Sequence, residues 1–246
     1  MENTGENPWF GSKYYHILYS ERNIFEAEKF LKALTNKLNF KKGMKFLDAA
    51  CGKGRYSKIL NDLGLDVSGF DLSSDNIKEA NKLKKTGLNF FVHDIRKPLS
   101  EHQLGTFDFV GNFFTSFGYF DTFEDNQMTF YSFHQSLKKG GVLLMDYFNP
   151  SYVLNNLIKQ ETVYKGGIKF NIKRWESEGF LYKCIEFRDE GKDYYFEERV
   201  ELISKNDFLK YSSLADFRII DMFGNYSLEI FDEKKSPRMI FLWVKE

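Results

Sequence analysis

Apolar positions change rhythm three times along the chain, and each rhythm predicts a different kind of element. "ERNIFEAEKFLKALTNKL" sets Ile24, Phe25, Phe30, Leu31, Leu34 and Leu38 at helical spacing. From Met44 to Phe148, short apolar runs alternate with amphipathic stretches. "MKFLDAA" reads as a buried strand and "GRYSKILNDLG" as a helix ending at Gly64. "LDVSGFD" is a second strand, and "SSDNIKEANKLKKTG" is a helix capped by Ser73 or Ser74. "LNFFVHD" and "FDFVGNFF" are the third and fourth strands. "DTFEDNQMTFYSFHQSLKKGG" is a helix closing on Gly140-Gly141, and "VLLMDYF" is the fifth strand. Strand–helix alternation of this kind predicts a parallel sheet with helices on both faces.

Beyond residue 160 the pattern becomes β-rich. "TVYKGGIKFNIKRW", "GFLYKCIEFRD" and "DYYFEERVELIS" are separated by glycine-containing turns and predict an antiparallel meander. "KNDFLKYSSLADFRIIDMFG" returns to a short helix and a strand, and "PRMIFLWVKE" is a last strand. The expected organisation is one doubly wound α/β domain from residues 1–160 and 205–246, interrupted by a small β insertion over 161–204.

Composition narrows the function. The 246 residues are 42% hydrophobic and 18% aromatic, with 27 Phe, so a sizeable core is available. Lys+Arg and Asp+Glu both number 35, a balance that argues against a broad grip on nucleic acid. The two cysteines, Cys51 and Cys184, lack metal-ligand spacing and suit a reducing compartment. The opening "MENTGENPWFGSKYYHILYS" has neither the basic segment nor the apolar run of a secretory signal, and no apolar run reaches the ~18 residues of a membrane span. A soluble, cytoplasmic protein is expected. His16, His93, His102 and His134 show no metal spacing, and no metal is expected.

The candidate chemistry begins at "FLDAACGKGRYS", where Asp48 precedes the bend Gly52-Lys53-Gly54. In an open parallel sheet, ligands sit beyond the carboxyl ends of the strands, and glycine lets the backbone approach them. "GKGRYS" lacks the frame of a phosphate-binding P-loop. The nicotinamide-dinucleotide fingerprint fits at Gly52 and Gly54, with Asp71 about twenty residues on, but Ser57 stands at its third glycine. A turn that merely needs glycine is the plain alternative.

A further reading uses more of the chain. "LDAACGKG", an acidic end to the second strand at Asp71, "FFVHDIR" with Asp94, and "FDFVGNFFTSFGYF" follow one another in order. "LKKGGVLLMDYF", "DFRIIDMFG" and "SPRMIFLWVKE" complete the series. This succession resembles the class I S-adenosylmethionine-dependent methyltransferases, with Lys139 where proline is usual. "SFGYF" and "WFGSKYYHILYSERN" resemble a group of small methyltransferases with a β insertion. The resemblance implies a seven-stranded, mostly parallel sheet with an antiparallel last strand, and S-adenosyl-L-methionine as cofactor.

It also implies roles. Asp71 accepts from the two ribose hydroxyls, and Leu72 covers one adenine face. Asp94 accepts the adenine amino group while the Ile95 N–H donates to the ring. Gly52 and Gly54, with Ala50 of the same bend, admit the methionine portion, and Asp48 orients its amino end. Asn112 contacts the amino-acid part, and Phe113 walls the adenine or methyl side. Tyr14, Tyr15 and Arg22 are candidates for closing the site, with Arg22 pairing the cofactor carboxylate. Asp48 and Asp71 have a rival role as caps of the following loop or helix. Tyr15, His16 and Tyr119 are alternative general bases among which the sequence does not choose.

Nucleobase amino-methyltransferases resemble one another in an Asp/Asn-Pro-Pro-aromatic signature after the fourth strand. "NFFTSFGYF" has no proline there, and "FNPSY" follows the fifth strand instead. The expected partner is therefore a small-molecule methyl acceptor, with no nucleic acid and no membrane. The aromatic insertion, with Tyr164, Phe170, Trp175, Phe180 and Tyr182, lines a pocket, forms a homodimer surface or buries against the sheet. A nicotinamide-dependent oxidoreductase and a non-catalytic cofactor-binding module are the alternatives.

Overall fold

The computed structural model describes residues 8–19 and 24–246. Its centre is a seven-stranded sheet. Strands β1 (Lys45–Ala49), β2 (Asp66–Asp71), β3 (Leu88–Val92), β4 (Phe107–Asn112) and β5 (Leu137–Phe148) run parallel. Two later strands, β10 (Phe217–Phe223) and β11 (Arg238–Lys245), complete it in the order β10-β11-β5-β4-β1-β2-β3, and β11 is antiparallel to both neighbours. The chain works outward from β1 to β3 and then returns to β4, so the strand order reverses between β1 and β4. Ligand sites of open α/β sheets lie at that reversal.

Side-chain alternation along these strands builds two cores. Leu47, Val110, Leu143 and Met145 point to one face, where Phe130 and Phe133 of α6 (Phe123–Ser136) and Phe208 of α8 (Lys205–Leu214) meet them. Phe46, Phe109, Leu144 and Ile240 point to the other. There they pack on Phe30 and Leu34 of α3 (Ile24–Leu38), on Ile59 of α4 (Arg55–Asp62) and on Ile77 of α5 (Ser74–Ala80). Ser73 caps α5, its side chain accepting from the Asn76 N–H.

One boundary differs from the sequence expectation. Helix α6 stops at Ser136 rather than running to Gly140-Gly141, and Leu137 already pairs with Phe107 in the sheet. Leu137 is fully buried, and the Lys245 ammonium donates to the His134 and Leu137 carbonyls that end the helix.

The meander is a separate four-stranded sheet of β6 (Gln160–Lys165), β7 (Ile168–Ser177), β8 (Phe180–Asp189) and β9 (Lys192–Glu201), paired in sequence order. A short helix, α7 (Pro150–Asn155), leads into it. Its inner face, with Ile168, Phe170, Ile172, Ile185 and Phe187, is covered by Trp9 of α1 (Pro8–Gly11) and by Tyr14 and Leu18 of α2 (Lys13–Leu18). Among the described residues no helix is long and apolar enough to cross a membrane, and no group of three His, Cys, Asp or Glu is placed to hold a metal ion. Cys51 and Cys184 are free thiols.

Candidate active site at the carboxyl rim of the sheet

After β1 the backbone zigzags through the left-handed region, with φ of 59° at Ala50, 55° at Gly52 and 79° at Gly54. The bend is pinned from three sides. The Cys51 N–H donates to the Phe70 carbonyl at 2.8 Å, the Gly52 N–H donates to Asp71 Oδ2 at 2.9 Å, and Asn112 Nδ2 donates to the Ala49 carbonyl at 3.1 Å. The ends of β1, β2 and β4 are thereby tied together. The two glycines serve different ends. A Cβ on Gly54 would stand 2.7 Å from Phe90 Cζ, so packing alone demands glycine; nothing lies within 4 Å of a Cβ on Gly52, which leaves a cradle open above the turn.

Asp48 and Asp71 diverge in environment. Asp48 is buried beneath the bend and accepts from Ser57 Oγ on α4, and burial raises its carboxyl from the ordinary 3.8 to about 7. Its described role is to hold α4 against β1. Asp71 is half-buried at the rim. Oδ1 takes the Ser73 N–H and, at 3.4 Å, Asn76 Nδ2; among the described residues Oδ2 takes only the Gly52 N–H. Asp71 therefore does cap the loop that follows it, yet Oδ2 keeps a lone pair for a further donor. Leu72 lies beside it, half-buried.

Asp94, after β3, is held by an arginine that sequence reasoning passed over. Arg96 forks onto both oxygens, Nε to Oδ1 at 3.0 Å and Nη2 to Oδ2 at 2.8 Å, and its N–H adds a bond to Oδ1. Burial alone would raise the Asp94 pKa, but this fork and backbone bond hold it below the usual carboxylate range. Arg96 also reaches Asp125 and lies over the Phe120 ring, joining the β3 and β4 loops. The only clue in sequence is an Asp-x-Arg spacing. Ile95 turns its side chain into the core.

Asn112 is fully buried. Its Nδ2 faces the Ala49 carbonyl, which fixes the amide's orientation and leaves Oδ1 without a partner among the described residues. Phe113 corrects the expectation of a wall to the site. It is buried among Phe30, Phe46 and Tyr56, stacked 4.9 Å from the Tyr56 ring, because the alternation of β4 directs it into the core.

Tyr14 is another correction. Its ring lies against Phe187 and Tyr194 and its hydroxyl donates to Asp189, so it fastens α2 to the insertion rather than reaching the rim. Arg22 lies outside the described residues. The cover is formed instead by one turn of α1, whose three consecutive residues touch three walls. Trp9 donates to Glu198 of β9, Phe10 meets Tyr119 of the "SFGYF" loop edge-on at 5.3 Å, and Gly11 lies close to Ser73. Tyr15 packs against Trp9 and Phe10, so Tyr15 and Tyr119 both touch the Phe10 ring, with His16 against Tyr15. Of the insertion aromatics, Phe170 is core, Trp175 and Tyr182 stack on each other, Tyr164 is exposed and Phe180 lies under Arg199.

Parallel strands thus bring a carboxylate, a bare glycine turn and an amide oxygen without a partner among the described residues to the rim where open α/β sheets bind their ligands. Comparison with known proteins agrees. A family model described as a methyltransferase domain matches residues 40–201. The glycine/sarcosine N-methyltransferase of Aphanothece halophytica is 29% identical over 150 residues, 60% of this chain and 55% of the relative. The chain thus spans about half the length of that curated relative. A solved S-adenosylmethionine-dependent methyltransferase from Clostridium acetobutylicum superposes with a TM-score of 0.79 at 22% identity, covering 94% of this chain and 96% of its own. The sugar N-methyltransferase KedS8 from Streptoalloteichus superposes at 0.76 with 18% identity, covering 96% and 93%. These two likenesses concern the fold.

The chain belongs to the methyltransferase domain family. S-adenosylmethionine is its cofactor, and the residues at the rim suit such a molecule: Gly52 leaves a cradle, Asp71 Oδ2 keeps an acceptor direction, and Asn112 Oδ1 has no partner among the described residues.

Proposed function

We propose that this protein methylates a nitrogen of a small molecule, using S-adenosylmethionine. The observation that carries the reading is the rim itself: the Gly52 cradle follows β1 at the reversal of strand order, Asp71 at the end of β2 accepts its N–H, and Asp94 follows β3 on the same rim. Nitrogen as acceptor atom is supported by the glycine/sarcosine and sugar N-methylating relatives. When bound, the cofactor supplies a methyl group on a cationic sulfur, already activated for displacement.

The chain's own contribution is binding, alignment and exclusion of water. Asp71 Oδ2 would take one ribose hydroxyl, and the remaining lone pair of Asp94 Oδ2 would take the adenine amino group. Asn112 Oδ1 receives the ammonium of the methionine portion. Phe10, Tyr15 and Tyr119, which pack on one another through Phe10, would shield the bound cofactor from water. Alignment of this kind contributes roughly 7–11 kcal/mol to a displacement at carbon. The same reading takes the outer face of the insertion, where Tyr164, Trp175 and Tyr195 are exposed, as a homodimer surface, and assigns the protein to the cytoplasm.

Calorimetry with S-adenosylhomocysteine and with NAD, followed by S-adenosylhomocysteine release across amines, phenols and acids, tests the proposal. Binding of S-adenosylhomocysteine with release confined to amines is expected. Tight binding of NAD alone overturns it in favour of an oxidoreductase, and binding without release across the panel makes the protein a non-catalytic module.

A further inference from the structure

The loop leaving β4 carries two consecutive residues in the left-handed region, Phe114 at φ 61° and Thr115 at φ 60°. Neither is glycine and Thr is β-branched, so this conformation persists only where surrounding groups impose it. The imposing groups come from β5 and β11. Asp146 is buried, and its Oδ2 accepts the Phe114 N–H at 2.8 Å and the Tyr226 hydroxyl at 2.9 Å. The Asp146 carbonyl takes the Thr115 N–H at 2.9 Å.

Arg238 completes the arrangement. It stands diagonally across the β5–β11 pair from Asp146, whose register partner is Ile240. Its Nε donates to Asp146 Oδ1 at 2.7 Å and its Nη2 to Thr115 Oγ1 at 3.0 Å, while Thr115 Oγ1 also accepts the Phe148 N–H at 3.2 Å. The guanidinium lies over the Phe114 and Tyr226 rings. Both backbone N–H groups of the left-handed pair and the Thr115 hydroxyl are thus bonded to β5 or β11.

The same loop meets each part of the site. Asn112 at its start holds the bend after β1, Tyr119 meets α1, and the Gly118 carbonyl accepts the Glu201 N–H at the end of the insertion. We propose that the pair of buried Asp146 and half-buried Arg238 is a positioning device, which holds Phe114-Thr115 in the left-handed conformation and so sets the wall against which the methyl acceptor is aligned. This rests on the methyltransferase reading above. The pair acts through the loop and touches neither reactant.

The test uses the full chain and three variants. Arg238→Met removes the pair, Thr115→Val removes only the hydroxyl that Arg238 holds, and Thr115→Ser restores it. Hydrogen exchange of residues 113–120 is expected to rise at least about tenfold in Arg238→Met and Thr115→Val and to return to wild type in Thr115→Ser. S-adenosylhomocysteine affinity should stay within about threefold, whereas kcat with the best amine of the panel should fall by up to about 10²-fold, the cost of misalignment near 1 Å. Because Arg238→Met leaves Asp146 buried without its partner and can fail to fold, Thr115→Val decides. Wild-type exchange in Thr115→Val, or loss of affinity in step with melting temperature, overturns the proposal while leaving the methyltransferase reading intact. Failure of the wild type to bind S-adenosylhomocysteine overturns both.

Discussion

Two aspartates at the ends of neighbouring strands show how far environment outweighs residue type. Asp71 keeps an open lone pair at the rim, so Asp71→Ala is expected to weaken S-adenosylhomocysteine binding by about 1.5–3 kcal/mol, read by calorimetry. Asp48 is instead a buried acid. Its folded pKa of about 7 lies above the unfolded value of 3.8, so the folded state holds the proton between them. The stability this contributes is complete below pH 4 and is lost as pH rises through 7. Asp48→Asn, which cannot ionise, should therefore gain on wild type by up to about 1.4 kcal/mol per pH unit across that window, measured by urea melts at pH 5, 6 and 7. A flat difference would mean that Asp48 is not held protonated.

At the scale of elements, the bend after β1 separates packing from binding within three residues. Gly54→Ala combines a left-handed φ with contact on the Phe90 ring, and a loss of about 2–4 kcal/mol in unfolding free energy is expected. Gly52→Ala meets only the φ cost, about 1–2 kcal/mol, but its methyl enters the cradle. Cofactor affinity should consequently fall far more in Gly52→Ala than in Gly54→Ala, checked by pairing denaturation with calorimetry. The Gly-x-Gly pattern was legible because glycine tolerates this turn. Which glycine faces a ligand was not, since Phe90 arrives from β3, a separate element. The end of α6 is hidden from the sequence for a related reason: Leu137 carries no breaker, and its pairing with Phe107 stops the helix.

For the whole molecule, the decisive relation is between the insertion and the helices that precede the central domain. Trp9 is completely buried, with its indole N–H on Glu198 and its ring 5.0 Å from Phe196. Lys183, in register with Glu198, is half-buried there, and its loss of solvent lowers its pKa. Trp9→Ala should cost the docking of α1 about 3–5 kcal/mol, the usual range for a buried aromatic. Amide exchange over residues 8–19 should rise sharply while β1 and β4 stay protected. Equal deprotection of the central sheet would show instead that the cover and the sheet unfold as one unit.

Periodicity and turn residues were enough to specify what is local: the order of strands and helices, the bend, and the carboxylates that end β2 and β3. Each depends on neighbours within a few residues, and backbone propensity is a short-range property. Tertiary structure alone decided that Phe113 is core, that Tyr14 serves the insertion, that Arg96 occupies Asp94, and that Arg238 meets Asp146 across 92 positions. Those outcomes follow from which strands lie side by side and from the exclusion of water between them, and no spacing along the chain encodes either.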